Sequence, residues 1–302
     1  MKKTLLVKAH SRIGMKFMPF GGEHVPNIGV EEGSDAVLDP HFLNTIQRKT
    51  DFDLIEYVFS NPDTVDSEKY YAVVAEETNT LAQKITKALD SGTYEKLIMV
   101  GGDHGTACAS VLAVLRFFKD KKVGLVDFDS HGDIHLLGTS PSGNFHGMWL
   151  RPFLDSFDES HIKNIIDVQL PTDRCLYIGN MITETEEERF IQEHDIQTIT
   201  SENILSDKQA VSEKIKSFCD SVDVIHLTFD IDVFKKDIVS ATGTPNPDGF
   251  DEEMVALCMN AVLGSQKLFS MDVVEVNPKK DNPEKTIDMA QKVILGVLEN
   301  RV

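Results

Sequence analysis

The chain has 302 residues, a hydrophobic fraction of 41% and a formal net charge of −19, enough length and apolar content for one large α/β domain. The negative charge argues against binding to nucleic acid or to an anionic membrane surface. The four cysteines form no Cys-x-x-Cys pair and no apolar stretch approaches the roughly 20 residues of a bilayer span, so we expect a cytoplasmic protein with reduced thiols.

Short apolar runs alternate with longer amphipathic stretches, which is typical of a parallel sheet covered by helices on both faces. The predicted strands are residues 5–9, 54–59, 97–100, 123–128, 175–178, 198–200, 224–229 and 268–274. The predicted helices are residues 67–90, 106–119, 184–194, 208–220, 251–264 and 285–300. Residues 11–40 and 134–174 lack periodicity and are predicted to be long functional loops. We expect a single α/β domain over residues 1–302.

Three polar patches each follow a predicted strand: Gly-Gly-Asp-His-Gly at 101–105, Asp-Phe-Asp-Ser-His-Gly-Asp at 127–133 and Phe-Asp-Ile-Asp at 229–232. Alternate residues of extended backbone share a face, so we expect the alternating polar side chains of the second and third patches to point the same way. This gives six candidate metal ligands, four carboxylates and two imidazoles: His104, Asp129, His131, Asp133, Asp230 and Asp232.

These six side chains predict a dinuclear metal centre. Four ionised carboxylates offset the charge of two divalent cations, and hard metal ions prefer such oxygen and nitrogen ligands. Without a metal, the clustered carboxylates would repel and some would have to protonate. The patches also lie at the carboxyl ends of their strands, the edge where open α/β sheets bind ligands. We leave Asp103 and Asp127 outside this set, because we expect them to cap or support neighbouring backbone.

The three patches resemble, in order, the metal motifs of the ureohydrolase superfamily, which includes arginase, agmatinase and formimidoylglutamase. Further similar segments are Gly-Val-Glu-Glu-Gly at 29–33, Ala-Thr-Gly-Thr-Pro at 241–245 and Met-Asp-Val-Val-Glu-Val-Asn-Pro at 271–278. The first of these, and Ser-Pro-Ser-Gly-Asn-Phe-His-Gly at 140–147, resemble arginase most closely. The resemblance implies a three-layer α/β/α arginase-like fold with a mostly parallel sheet of about eight strands, assembled as a homo-oligomer, a trimer or hexamer.

The resemblance also implies a mechanism in which a hydroxide bridging two Mn²⁺ ions, roughly 3.5–4 Å apart, attacks a guanidinium carbon. The ligands would be His104, Asp129, Asp133 and Asp230 for one ion and Asp129, His131, Asp230 and Asp232 for the other, and they are compatible with other divalent metals. Asp133 would accept a hydrogen bond from the hydroxide, and Glu275 would bind the guanidinium. His146 would carry a proton to the leaving amine. The reaction would convert L-arginine and water to L-ornithine and urea.

The substrate is the part of this prediction that stays open. The resemblance places these residues around the small guanidino molecule: His135, Ser142, Asn144, Glu184, Thr244 and Glu275. His135 stands where arginases usually have asparagine, and Glu184 either replaces the acid that contacts the substrate amine or favours a helix N-terminus. Ser142 and Asn144 also suit ordinary turn chemistry. The alternatives are an agmatinase, a guanidinobutyrase, a formimidoylglutamase-type enzyme or a non-catalytic metal-binding homologue.

Overall fold

A computed structural model describes residues 3–17 and 27–301. The strands are β1 Lys3–His10, β2 Phe52–Val58, β3 Tyr94–Val100, β4 Val123–Phe128, β5 Cys175–Ile178, β6 Gln197–Ile199, β7 Val224–Asp230 and β8 Leu268–Val274. They form one sheet in the order β2-β1-β3-β8-β7-β4-β5-β6, and every adjacent pair is parallel. The predicted mostly parallel sheet of about eight strands is therefore confirmed.

Helices cover both faces of this sheet. The α-helices of the described residues are α1 Gly33–Val37, α2 Pro40–Gln47, α3 Tyr70–Ser91, α4 Ala107–Phe117, α5 Arg151–Leu154, α6 Ser160–Ile165, α7 Thr185–Glu193, α8 Ser201–Ser206, α9 Lys208–Ser221, α10 Glu252–Gly264 and α11 Pro283–Glu299. Apolar side chains of α1, α2 and α8 to α11 pack on one face, and those of α3 to α7 pack on the other. The fold is the predicted three-layer α/β/α arrangement.

Five short helices were not predicted. α1 lies in the segment 11–40, of which residues 18–26 are outside the described part of the chain, and α5 and α6 lie in the segment 134–174. These segments are therefore less irregular than expected. α5 has four residues and α6 has six, which is too short for a helical period to show in the sequence. α2 has a recognisable start in the sequence. Asp39 caps the helix by accepting a hydrogen bond from Phe42 N, and Pro40 takes the first helical position.

The sheet order brings the polar patches together. β7 and β8 come late in the chain but lie between β3 and β4. The four strands β3, β8, β7 and β4 are therefore neighbours, and their carboxyl ends open on the same edge. One close approach at this edge requires glycine, since a Cβ on Gly179 would lie 1.9 Å from the carbonyl oxygen of Asp129.

No helix in residues 3–17 and 27–301 is both long enough and apolar enough to cross a membrane. That residues 1–302 form one domain stays a prediction.

The central strand β7 supplies a test of the core. Leu227→Ala removes a fully buried side chain from the middle of the sheet, and we expect a loss of about 2–5 kcal/mol in the free energy of unfolding. The matched control is Leu205→Ala, whose side chain is 72% exposed, with an expected change within about 0.5 kcal/mol. Urea unfolding of both variants with chelator present measures this, and equal losses would contradict the assignment of Leu227 to the core.

Candidate metal centre

The structure brings the six candidate ligands into one cluster at the edge of the sheet, in which His131 is partly exposed and the other five are buried. His104 follows β3. Asp129, His131 and Asp133 follow β4, and Asp230 and Asp232 lie at the end of β7. The cluster contains two groups that share Asp129, and within each group one ligand atom per residue lies within 4.8 Å of the others. The groups are His104, Asp129 and Asp230, and Asp129, His131 and Asp232. Asp133 joins the first group, because its Oδ2 lies 2.9 Å from His104 Nδ1.

The backbone that carries these ligands is not the extended one expected. β4 ends at Phe128, Asp133 has a φ of 52°, and Asp232 lies in a one-turn 3-10 helix, Ile231–Val233. Instead, two aspartates make the same local turn. Asp129 Oδ1 accepts a hydrogen bond from His131 N at 2.7 Å, and Asp230 Oδ1 accepts one from Asp232 N at 2.8 Å. Each turn brings residues i and i+2 to the same site.

A buried chain of hydrogen bonds holds His104 from behind. His104 Nε2 lies 2.9 Å from Thr228 Oγ1, and Thr228 donates its hydroxyl hydrogen to Asp272 Oδ1. Because that hydroxyl is already used as a donor, it must accept from His104, so the pattern assigns a hydrogen to Nε2. The lone pair of Nδ1 is then available as a ligand, which is the usual arrangement behind a metal-bound histidine.

Asp272 is itself held by further polar groups. Ser110 Oγ donates to Asp272 Oδ2 at 2.6 Å, and His226 Nε2 lies 2.9 Å from the same oxygen. Burial opposes the charge of Asp272, but His226, Ser110 and Thr228 keep the pKa of this carboxyl below its ordinary value. Thus an ionised, fully buried aspartate fixes the residue that orients His104.

The cluster fits divalent cations. His104 Nδ1 and Asp129 Oδ2 lie 3.0 Å apart, yet each is buried without a suitably oriented hydrogen-bond partner among the described residues. Buried polar atoms are normally satisfied, and a cation between these two would satisfy both. Carboxylate oxygens with imidazole nitrogens are the ligands expected for Mn²⁺ and similar ions.

The pKa shifts of the clustered side chains also indicate a cation site. Burial, with the nearby charges of Asp232 and Asp129, raises the pKa of Asp230 well above its ordinary value. Burial opposes protonation of His104, but Asp129 and Asp133 raise its pKa well above its ordinary value. Without a cation, the site therefore retains protons at positions where a divalent ion would replace them.

Glu275, Thr244 and His146 lie at this cluster. Glu275 follows β8 with a φ of 64°, and its Oε1 accepts a hydrogen bond from His104 N at 2.8 Å. Burial and the carboxylate of Asp103 raise the pKa of Glu275 to about 8. His146 Nδ1 is 3.9 Å from Glu275 Oε1, and Thr244 Oγ1 donates to Asp232 Oδ2 at 2.9 Å.

The other substrate-end candidates fall into two places. His135 and Glu184 line an acidic cavity of about 340 Å³, with His135 Nε2 3.8 Å from Glu184 Oε2. Ser142 Oγ accepts a hydrogen bond from Asn144 N at 3.1 Å, as in an ordinary turn. The Asn144 amide bonds to both the N–H and the carbonyl of Phe17. The structure thus ties Asn144 to the N-terminal segment, and its contact with substrate stays a prediction.

Of the two aspartates left outside the ligand set, Asp103 behaves as expected and Asp127 does not. Asp103 accepts hydrogen bonds from Ser11 Oγ at 2.8 Å and from Gly105 N at 3.0 Å. Both carboxyl oxygens of Asp127 are buried with no hydrogen-bond partner among the described residues. The expectation that Asp127 caps or supports backbone is therefore wrong. Burial, with the nearby Asp129, raises the pKa of Asp127 well above its ordinary value, which favours a neutral side chain.

Several residues of the site were missed from the sequence. Asn27 Nδ2 donates to Glu275 Oε2 at 2.8 Å, although 248 positions separate the two. Glu187 lies behind His135, with Oε2 3.5 Å from His135 Nε2. Glu187 had a signal, since an acid three residues into a helix commonly bonds back to the capping residue, as it does here to Glu184 N. Asn27 had none.

Comparison with known proteins gives a consistent result. A family model described as the Arginase family matches residues 11–299. Arginase of Entamoeba histolytica is 30% identical over 260 residues, covering 83% of this chain and 86% of that protein. Arginase of Staphylococcus aureus, strain MRSA252, is 26% identical over 281 residues, covering 88% and 90%. The crystal structure of Entamoeba histolytica arginase in complex with L-ornithine has a TM-score of 0.85 at 27% identity, covering 99% of this chain and 98% of that chain.

We expect divalent cations to stabilise the folded protein, because the ligands are brought together only in the native state. A ligand at 100 times its Kd adds about 2.7 kcal/mol to the free energy of unfolding. Thermal unfolding with Mn²⁺ and with chelator measures the effect. The control is Asp230→Asn, which should show a smaller rise with Mn²⁺ than the wild type does. An identical rise in this variant would contradict the assignment of Asp230 as a ligand.

Proposed function

Because the chain belongs to the arginase family, we propose that it hydrolyses L-arginine to L-ornithine and urea. The observation that carries the proposal is the juxtaposition of the six-ligand cluster with Glu275, whose Oε1 accepts a hydrogen bond from the backbone of His104. A planar cation held by Glu275 would lie beside the metal ligands. Support for arginine comes from relatives named arginase and from the L-ornithine bound by the Entamoeba histolytica protein.

We propose that His104, Asp129, Asp133 and Asp230 hold one Mn²⁺ and that Asp129, His131, Asp230 and Asp232 hold a second. When bound, such cations would lower the pKa of a water molecule, so that hydroxide would be available near neutral pH. Glu275 binds the guanidinium through charge-assisted hydrogen bonds and fixes its plane. Burial and the carboxylate of Asp103 raise its pKa, and a bound guanidinium would supply a positive charge that favours the ionised form.

The remaining roles concern protons. The new C–O bond forms first, at the planar guanidinium carbon. The C–N bond to the departing amine then breaks, and the amine must gain a proton. In this proposal Asp133 accepts a hydrogen bond from the attacking water. His146, 3.9 Å from Glu275 and partly exposed, carries the proton to the amine from solvent. Thr244 positions Asp232 through its hydroxyl.

A second candidate substrate is supported by the cavity beside His135. Its lining includes Glu184, Glu186 and Glu188, so a ligand end with an amine and no carboxylate meets less repulsion there than an amino-acid end does. Agmatine, the decarboxylated analogue of arginine, has such an end. In this alternative Glu184 binds the amine, and Ser142 and Asn144 serve the turn rather than a substrate carboxylate.

The function is tested by urea release from L-arginine, agmatine and 4-guanidinobutyrate. We expect Mn²⁺-dependent activity that is greatest on L-arginine and is abolished by chelator. Preference for agmatine would select the second candidate. If the Mn²⁺-loaded protein releases no urea from any of the three, the proposal is overturned.

Two variants test the assigned roles. Asp230→Asn should lose metal and activity together, because it removes a shared ligand. His146→Asn should retain metal and lose about 10²–10⁴-fold in kcat, the usual contribution of a positioned proton carrier. Metal content and kcat measured on the same samples separate these outcomes. Full activity in Asp230→Asn would contradict its role as a ligand.

Glu184→Gln tests recognition of the substrate amine. We expect KM to rise by up to about fivefold for L-arginine and agmatine, the effect of a solvent-exposed charge pair. KM should not rise for 4-guanidinobutyrate, which has no amine and whose carboxylate Glu184 repels. Glu193→Gln, at the other end of α7, is the control and should change none of the three values. An equal rise in KM for all three substrates would show that Glu184 does not recognise the amine.

A further inference from the structure

The only tryptophan of the chain contacts two of the candidate metal ligands. Trp149 is fully buried, and its Nε1–H donates a hydrogen bond to Asp133 Oδ2 at 3.1 Å. Its ring lies against the His104 imidazole, with centroids 5.0 Å apart and planes inclined at 42°. Trp149 was not among the residues expected at the site, and none of the roles proposed above uses it.

Asp133 needs such support because its backbone is in an unfavourable conformation. Its φ of 52° is in the left-handed region, which side chains with a Cβ rarely adopt. The segment that carries Trp149 bonds to two consecutive carbonyl groups of this turn. Leu150 N donates to the carbonyl of Asp133 at 3.3 Å, and Arg151 Nη1 donates to the carbonyl of Ile134 at 3.1 Å. Backbone and side chain of Asp133 are therefore both held by residues 149–151.

We infer that Trp149 is a positioning residue of the metal centre, which fixes the carboxylate of Asp133 toward His104 Nδ1 and restricts the imidazole from its other side. The indole N–H suits this role because it only donates and does not titrate, so it always offers the carboxyl group a hydrogen. Partners that orient metal ligands commonly contribute 10–100-fold in metal affinity. The inference rests on the proposed metal centre and is independent of the substrate.

The position of the indole has a spectroscopic consequence. The same Asp133 oxygen that accepts the indole hydrogen lies 2.9 Å from His104 Nδ1, so a cation held there comes close to the ring. A paramagnetic ion at such short range quenches indole emission. Because no other tryptophan contributes, the emission of the native protein should fall and then level off as Mn²⁺ fills the site.

The test compares Trp149→Phe with Phe153→Leu. The first keeps an aromatic ring but removes the N–H, and the second shrinks another fully buried aromatic side chain in the same segment. Binding is measured without substrate, from the loss of the electron paramagnetic resonance signal of free Mn²⁺. We expect Kd to rise 10–100-fold for at least one ion in Trp149→Phe and to change less than twofold in Phe153→Leu. Equal weakening in both variants, or unchanged Kd in folded Trp149→Phe, would overturn the inference.

Titration of the unmodified protein keeps the test decisive if Trp149→Phe fails to fold. Emission that stays constant while the resonance signal shows Mn²⁺ bound would overturn the inference, and quenching that follows occupancy supports it. The proposed function is tested separately. A protein that binds Mn²⁺ with the expected Trp149 dependence but releases no urea would overturn the function and leave the positioning role standing.

Discussion

Four aspartates in one buried cluster impose the constraint on which the site depends. Like charges close together repel strongly where water is excluded. Burial and this repulsion together raise the pKa of Asp230 well above its ordinary value. The fold nevertheless holds these side chains together, because they follow β4 and β7, which are adjacent and buried along their whole length. Aromatic side chains join the two strands, with Phe128 and Phe229 stacked at 5.2 Å between ring centroids. Core packing thus stabilises an arrangement that its own charges oppose, and bound cations would relieve the opposition.

The cluster is also oriented from outside, with a different element behind each part. β7 and β8 supply the chain from Thr228 to Asp272 that fixes His104. The segment after residue 146 supplies Trp149, which bonds to Asp133. Such supporting contacts set both the direction and the basicity of metal ligands. Because they come from separate elements, the geometry of the centre depends on the assembly of the whole sheet and not on any one motif.

The sequence predicted the sheet and the identity of the clustered residues better than their local conformation. Strand and helix ends are shifted by up to three residues from those expected, and the family match confirms the resemblance read from motif order. The spacing of two between Asp129 and His131 was attributed to extended backbone, whereas the structure shows a turn closed by the Asp129 carboxylate. Both conformations bring residues i and i+2 together, so the pattern alone could not distinguish them.

Contacts between residues far apart in the sequence could not be predicted from the sequence. Periodicity and motif spacing describe neighbours, whereas Asn27 reaches Glu275 over 248 positions. Trp149 is nearer, 16 positions from Asp133, but between them the chain forms an aperiodic loop whose path no local signal gives. A tryptophan in the sequence gives no signal of such a role either, since tryptophan side chains are on average highly buried in any folded protein. Only the direction of its N–H separates a packing residue from one that orients a ligand.

The metal cluster and the cavity at His135 differ in how tightly they constrain substitution. At the cluster, each carboxylate serves a cation or a hydrogen bond in a buried setting, so a change of side chain leaves a buried charge or donor unpaired. At the cavity, Glu184 is more than half exposed, and water can satisfy whatever the substrate does not. If the proposed function holds, the chemistry would depend on the buried end of the site. The choice among guanidino compounds would depend on solvated side chains that can vary at little cost to the fold. His135 is buried yet lines the cavity, and Glu187, 3.5 Å from its Nε2, accepts a hydrogen bond from Ile134 N, the residue after Asp133.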